Sequence, residues 1–137
     1  MKTTERFDKA VTKLYNAFHN GELNAVDCKA CAVGNICDNT GEWRCYARFD
    51  TCDRRIIISS EILPKKISKY GYNKRELATI EMLFLKACGF KKGIDEEQFN
   101  GLCAVIEYLC ELDNIPNVMD YTKLFETKDN KPKYQLA

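Results

Sequence analysis

The sequence predicts a mostly α-helical, single small domain with one short β-hairpin. Three segments place apolar residues at spacings of three and four, the pattern of a helix that buries one face. Only one stretch alternates apolar and polar residues, as a half-buried strand does. The chain has 137 residues, a usual length for one domain. We expect residues 1–127 to form that domain and residues 128–137 to be a mobile C-terminal tail.

The first helix is predicted from Thr4 to Asn20, with Gly21 as the residue that ends it. Six apolar positions lie on one face of this helix. They are Phe7, Ala10, Val11, Leu14, Tyr15 and Phe18.

Two longer helices are predicted in the second half of the chain. Asn73 has the chemistry of an N-cap and Glu76 that of its capping-box partner, and Gly89 ends the helix that they begin. Asp95 is predicted to cap the next helix, which cannot continue past Pro116.

Two shorter elements complete the prediction. The alternation from Trp43 to Phe49 predicts a strand, with Arg54 to Ser59 as its antiparallel partner. A last helical turn is predicted from Asp120 to Phe125.

Cysteine is the unusual feature of the composition, with eight cysteines beside a single histidine. Cys28 and Cys31 form a Cys-x-x-Cys pair, a spacing that lets two thiolates bind one metal ion from a tight turn. Asp27 could cap a short helical turn that carries this pair and ends at Gly34-Asn35. We therefore expect the domain to be organised around a four-cysteine metal site.

The other two ligands can be chosen in two ways. A local site takes Cys37 and Cys45, whereas a distributed site takes Cys88 and Cys103 from the two long helices. The alternative to a metal role is that Cys88, Cys103 and Cys110 are buried thiols of the core.

The spacing favours Zn²⁺ over an iron–sulfur cluster. Four thiolates can hold either, but Cys28-x2-Cys31-x5-Cys37 follows neither the plant-type nor the bacterial ferredoxin spacing. An iron–sulfur redox protein is the alternative function. In a reducing cytoplasm, where we place the chain, clustered cysteines bind metal more often than they form disulfides.

Catalytic chemistry has little support, and we expect no enzyme. His19 is the only imidazole, and its place at the end of the first helix suits an interaction with the helix dipole. The chain contains no nucleophile elbow and no glycine-rich phosphate loop.

Charge is distributed unevenly along the chain. Residues 41–75 carry nine Lys or Arg and four Asp or Glu, a net charge of +5, whereas residues 76–127 carry a net charge of −6. Aromatic residues interleave with the basic ones, which favours contact with nucleic acid or with an acidic partner; a solvated loop that balances the acidic helices is the alternative. The candidate contact residues are Arg44, Arg48, Arg54, Arg55, Lys65, Lys66 and Lys69.

No targeting signal is visible at the N-terminus, and no apolar run approaches the ~20 residues that span a bilayer. We expect a cytoplasmic protein with no membrane association.

Three stretches carry a family resemblance: AFHNGELNAVDCKACAVGNICDN (Ala17 to Asn39), FLKACGF (Phe84 to Phe90) and FNGLCAVIEYLCELDNIPNVMDYTKLFE (Phe99 to Glu126). They resemble small Bacteroidota and phage proteins that are commonly labelled as a component of the sodium-translocating NADH-quinone reductase. That label is not expected to hold, because the reductase component needs an anchor and cofactor domains that 137 residues cannot supply.

The resemblance implies the distributed ligand set, Cys28, Cys31, Cys88 and Cys103. More loosely, the chain is similar to accessory proteins of type II-C CRISPR-Cas9 systems, in which a small partner helps the nuclease to engage DNA. Together these features imply a zinc-binding adaptor with a protein or nucleoprotein partner, with a Cas9-type nuclease and a second copy of the chain as expected partners.

Overall fold

The computed structural model describes residues 4–26, 30–38, 47–50, 55–58 and 69–126, the two segments at 47–50 and 55–58 by their backbone. Within these residues the chain is mostly helical, as predicted. The predicted tail at 128–137 lies outside the described residues. The elements are α1 (Glu5–His19), α2 (Ala32–Ile36), β1 (Ala47–Asp50), β2 (Arg55–Ile58), α3 (Lys74–Ala87), α4 (Asp95–Leu112), α5 (Val118–Thr122) and a 3₁₀ turn (Lys123–Phe125).

Helix α1 agrees with the prediction to within one residue at each end. The Thr4 hydroxyl accepts a hydrogen bond from the Phe7 backbone N–H at 3.3 Å, so Thr4 caps the helix. Gly21 follows with a φ of +71°, a left-handed conformation that glycine adopts without strain. All six predicted apolar positions are buried.

Helices α3 and α4 pack against each other. The predicted capping box of α3 is present, because the Asn73 side chain accepts from the Glu76 N–H and the Glu76 carboxylate accepts from the Asn73 N–H. The predicted cap of α4 is wrong by one residue: Ile94 is the N-cap, and its backbone N–H donates to the Glu97 carboxylate at 3.0 Å. Asp95 is instead the first helical residue, where its negative charge still suits the helix dipole.

Helix α2 corrects the prediction for the segment after the Cys-x-x-Cys pair. The helix is capped by Cys31, and Gly34 and Asn35 lie inside it rather than ending it. The Asn35 side-chain amide donates to the carbonyl oxygens of Ala30 and Cys31, both at 3.0 Å. This side chain therefore stabilises the helical turn that its residue type was expected to end. Asp27, the predicted cap, lies outside the described residues.

Strands β1 and β2 pair antiparallel, in a register that places Ala47 opposite Ile58 and Asp50 opposite Arg55. Both are shorter than the predicted segments. The backbone of β2 lies close to α3.

The C-terminal end of the described chain packs on α1. The last turn was predicted from Asp120 to Phe125. In the structure it begins earlier, at Val118, as the short helix α5, and it continues into the 3₁₀ turn. The Phe125 side chain is completely buried, and its ring lies 6.1 Å from that of Tyr15 and 6.0 Å from that of Phe18.

An ionic clasp joins the start of α1 to the end of α4. The Arg6 guanidinium donates to the Asp113 carboxylate, with Nε 3.0 Å from Oδ1, and to the Gly71 carbonyl oxygen at 2.7 Å. The Thr4 hydroxyl donates to the same carboxylate at 2.7 Å. The clasp fixes α1, α4 and the segment before α3 relative to one another.

Among the described helices, none is both long enough and apolar enough to span a bilayer.

Candidate functional site

Cys31 is the one member of the Cys-x-x-Cys pair that the structure describes. Its side chain is completely buried, and its sulfur accepts a hydrogen bond from the Gly34 backbone N–H at 3.2 Å. Through this contact Cys31 caps the first turn of α2.

Glu81 lies beside Cys31 at the junction between α2 and α3. This glutamate is 4% exposed, accepts the Val33 backbone N–H at 3.3 Å and accepts a hydrogen bond from the Cys31 side chain. Burial raises the pKa of the Glu81 carboxyl to about 7, although both hydrogen bonds oppose the rise. Within the described segments, Glu81 forms no ion pair with Lys or Arg.

Two further buried cysteines lie within the electrostatic influence of Glu81. Burial raises the pKa of Cys88 to about 11, and the charges of Glu97 and Glu81 contribute to the rise. Burial also raises the pKa of Cys37 to about 12, where Lys13 opposes the rise and the charges of Asp38 and Glu81 add to it. Neither thiol ionises at neutral pH without a cation to replace its proton.

Cys103 lies in different surroundings. It is half-buried on α4, and burial alone raises its pKa, with no contribution from Glu81. Cys110 is buried, and burial together with the charge of Asp113 raises its pKa to about 11.

The part of the chain that the structure describes contains no group of three His, Cys, Asp or Glu residues close enough to hold a metal ion. Cys31, Cys88 and Cys103 thus do not converge as a ligand set here. Cys28 and Cys45, which belong to the predicted ligand sets, lie outside the described residues. Both ligand sets remain predictions.

Of the predicted nucleic-acid contact residues, Lys69 is the one with a described side chain. It is exposed and lines a cleft of about 630 Å³. Arg48 lies on β1 and Arg55 on β2, two strands of which the structure describes the backbone alone. The other four predicted contacts lie outside the described residues, namely Arg44, Arg54, Lys65 and Lys66.

Helix α1 contributes three basic residues to the same cleft, and the sequence pattern did not identify them. Arg6, Lys9 and Lys13 follow one another at spacings of three and four, which places them on one face of α1. Their spacing was visible in the sequence. The more strongly basic character of residues 41–75 obscured it.

Glu81 was also missed. It lies four residues after Leu77 and seven before Cys88, so the apolar face of α3 included an acidic residue. A charged residue at a predicted core position is the signal that could have identified it.

His19, the single imidazole of the sequence, lies buried between α1 and the 3₁₀ turn. It is 5% exposed, its Nε2 lies 2.8 Å from the Leu124 carbonyl oxygen, and its ring lies 4.3 Å from that of Tyr15. Because a carbonyl oxygen only accepts, Nε2 carries the proton in this contact.

Comparison of the chain with protein families, with curated proteins and with solved structures finds no match.

Proposed function

We propose that the protein is a non-enzymatic zinc-binding adaptor that binds a protein or nucleoprotein partner. One observation carries the metal part of this proposal: the buried Glu81 carboxyl accepts a hydrogen bond from the buried Cys31 thiol at the α2–α3 junction, and no described Lys or Arg pairs with this carboxyl. A buried negative charge is costly unless a cation compensates it, and a divalent ion bound by thiolates would do so.

The proposed ligands are Cys28, Cys31, Cys88 and Cys103, the set that the family resemblance implies. Zn²⁺ would replace the protons of the thiols and connect the segment before α2 to the two long helices. Such a site would supply folding free energy to a small domain in addition to its apolar core. Glu81 would then lie next to a ligand rather than alone in the core.

Binding, rather than catalysis, is favoured by the chemistry of the described side chains. The buried thiols Cys37, Cys88 and Cys110 have raised pKa values and are poor nucleophiles, and His19 is bound to a carbonyl oxygen. The partner class that we propose is a nucleoprotein of the Cas9 type, in agreement with the looser resemblance and with the basic residues of the cleft.

Metal analysis of the full chain, purified without oxygen, together with a visible spectrum tests the metal. We expect about one zinc per chain and a colourless sample, since Zn²⁺ has a filled d shell. Iron with sulfide and a brown colour would show that the site holds an iron–sulfur cluster instead of zinc. The protein would then be a redox carrier. A chain purified with no metal would contradict the proposal.

The ligand set is tested by Cys103→Ser with Cys45→Ser as the matched control. We expect Cys103→Ser to release zinc and to lower the melting temperature, and Cys45→Ser to do neither. The reverse result would assign the site to the local set of Cys28, Cys31, Cys37 and Cys45.

A further inference from the structure

The cleft beside α1 is a second feature that could bind a ligand, and the proposed metal site does not account for it. It lies between the first three turns of α1, the end of α2 and the segment before α3, and its volume of about 630 Å³ is within the range of small-ligand sites. Among the described residues, four basic and two acidic side chains line it, a net charge of +2. They are Arg6, Lys9, Lys13, Lys69, Glu5 and Asp38.

Two of the four cations are held by partners within the protein. The Lys13 ammonium lies 2.9 Å from the Ile36 carbonyl oxygen and 2.8 Å from the Asp38 carboxylate. Arg6 belongs to the ionic clasp with Asp113. Lys13 and Arg6 therefore shape the walls of the cleft, and their hydrogen-bond donors are largely used.

The other two cations can reach a ligand. Lys9 is 60% exposed and pairs with Glu5, itself 80% exposed, one turn earlier on the helix. An exposed pair of this kind contributes little to stability, so a stronger anion can take the place of Glu5. Lys69 is exposed and lines the cleft, with its Nζ 5.2 Å from the centre of the Tyr70 ring.

Tyr70 supplies an aromatic surface in a fixed orientation. Its hydroxyl donates to the Asp38 carboxylate at 2.9 Å, and the Lys13 ammonium lies 4.5 Å from the centre of its ring. Burial and the neighbouring Asp38 raise the pKa of Tyr70 to about 12, so the hydroxyl keeps its proton at neutral pH. An oriented ring beside accessible ammonium groups is the combination that binds a base and its phosphate.

We propose that this cleft binds a nucleotide. Lys9 and Lys69 contact the phosphate oxygens, and the base packs on the Tyr70 ring in place of the Lys69 ammonium that lies over it. A free mononucleotide and one nucleotide within a single strand present this same chemistry. The site is built from residues that do not contribute to the proposed zinc site, so the two proposals can fail independently.

Binding is measured on the full chain by fluorescence anisotropy of a labelled oligothymidylate at low salt, with unlabelled AMP and inorganic phosphate as competitors. We expect Lys69→Glu to weaken binding about tenfold, the effect of losing one charge-assisted hydrogen bond. The matched control is Lys86→Glu, which changes the same charge at an exposed lysine of α3 outside the cleft. We expect it to change affinity less than about twofold, since only long-range charge is altered.

Tyr70 is tested by a pair of variants. Tyr70→Ala removes the ring and is expected to weaken binding about fivefold or more, because the base loses its stacking partner. Tyr70→Phe keeps the ring and is expected to retain most of the affinity. Thermal melting of each variant, followed by circular dichroism, checks that the fold is retained.

Competition distinguishes the two sources of the nucleotide. Displacement of the strand by AMP would assign the cleft to a free nucleotide, and displacement by strands alone would assign it to single-stranded nucleic acid; either supports the proposal. Equal losses in Lys69→Glu and Lys86→Glu, displacement by inorganic phosphate as effective as by AMP, or no binding at low salt would overturn it.

Discussion

Asp113 shows how a single residue can combine opposing electrostatic effects. Burial alone would raise the pKa of its carboxyl. Hydrogen bonds from Arg6 and Thr4, together with the charge of Arg6, outweigh burial and hold this pKa below its ordinary value. The folded state therefore favours the ionised carboxylate more than the unfolded state does.

We predict that Asp113→Asn lowers the free energy of unfolding at neutral pH by about 1.5–3 kcal/mol, the range for hydrogen bonds to charged groups. Urea denaturation measures this loss. Glu111→Gln, an exposed carboxylate on the same helix, serves as the control and is expected to stay within about 0.5 kcal/mol of the wild type. An unchanged free energy of unfolding in the Asp113→Asn variant would show that the clasp does not stabilise the fold.

The lowered pKa of Asp113 also predicts that the stability of the protein depends on pH in the acid range. A carboxyl whose pKa is lowered by folding stabilises the protein above its unfolded pKa and loses that contribution as the pH falls through the folded pKa. The stability difference between the wild type and Asp113→Asn should therefore shrink below about pH 4. Denaturation midpoints measured from pH 7 to pH 3 test this. A difference that stays constant over this range would contradict the assignment.

Among the elements, α3 and α4 are in close contact at Gly101. A Cβ atom added at this position would lie 2.8 Å from a ring carbon of Phe84 and 3.2 Å from the Cβ of Ala87. Glycine is otherwise unfavourable inside a helix, by roughly 0.5–1 kcal/mol relative to alanine. Its presence in α4 is thus explained by packing rather than by helix propensity.

We predict that Gly101→Ala destabilises the protein by about 1–3 kcal/mol, because overpacking outweighs the gain in helix propensity. Asn100→Ala is the control, since Asn100 is exposed on the same helix and should gain a few tenths of a kcal/mol. Thermal melting of both variants decides the sign. A more stable Gly101→Ala would mean that α3 and α4 separate easily at this point.

The helices were predictable from sequence because their signals are local. The Asn73–Glu76 capping box and the apolar face of α1 each depend on residues within a few turns. Helix α2 was predicted less well, because the Asn35 side chain reaches back to Ala30 and Cys31 instead of ending the helix.

The candidate sites were harder to predict because they depend on distant parts of the chain. The contact of Glu81 with Val33 joins residues 48 positions apart, and periodicity within one helix cannot report it. The cleft likewise brings Lys69 to α1. Sequence patterns suggested Cys31 and Lys69 individually as candidates, whereas their neighbours in space can be read only from the folded structure.

At the scale of the whole molecule, the core is closed by the last described turn. Phe125 is fully buried, in ring contact with Tyr15 and Phe18 of α1. The nearby contact between His19 and the Leu124 carbonyl oxygen fixes the same turn. This turn is thus part of the core rather than an appendage to it.

We predict that Phe125→Ala destabilises the protein by about 3–5 kcal/mol, the range for deletion of a buried aromatic ring. Met119→Ala, at an apolar position of α5 that is 68% exposed, should change stability by less than about 0.5 kcal/mol. Chemical denaturation of both variants provides the comparison. A small loss of stability in the Phe125→Ala variant would mean that α1 retains its packing without the terminal turn.

The ionic clasp also sets an order of events during synthesis. Arg6 and Asp113 are separated by 107 positions, so the partner of Arg6 is made about 5–20 s later at ~5–20 residues per second. In that interval α1 can pack only on α2 and other segments made before α4, and Arg6 lacks its Asp113 partner. The nascent chain therefore exposes part of the α1 core face until α4 and the terminal turn leave the ribosome.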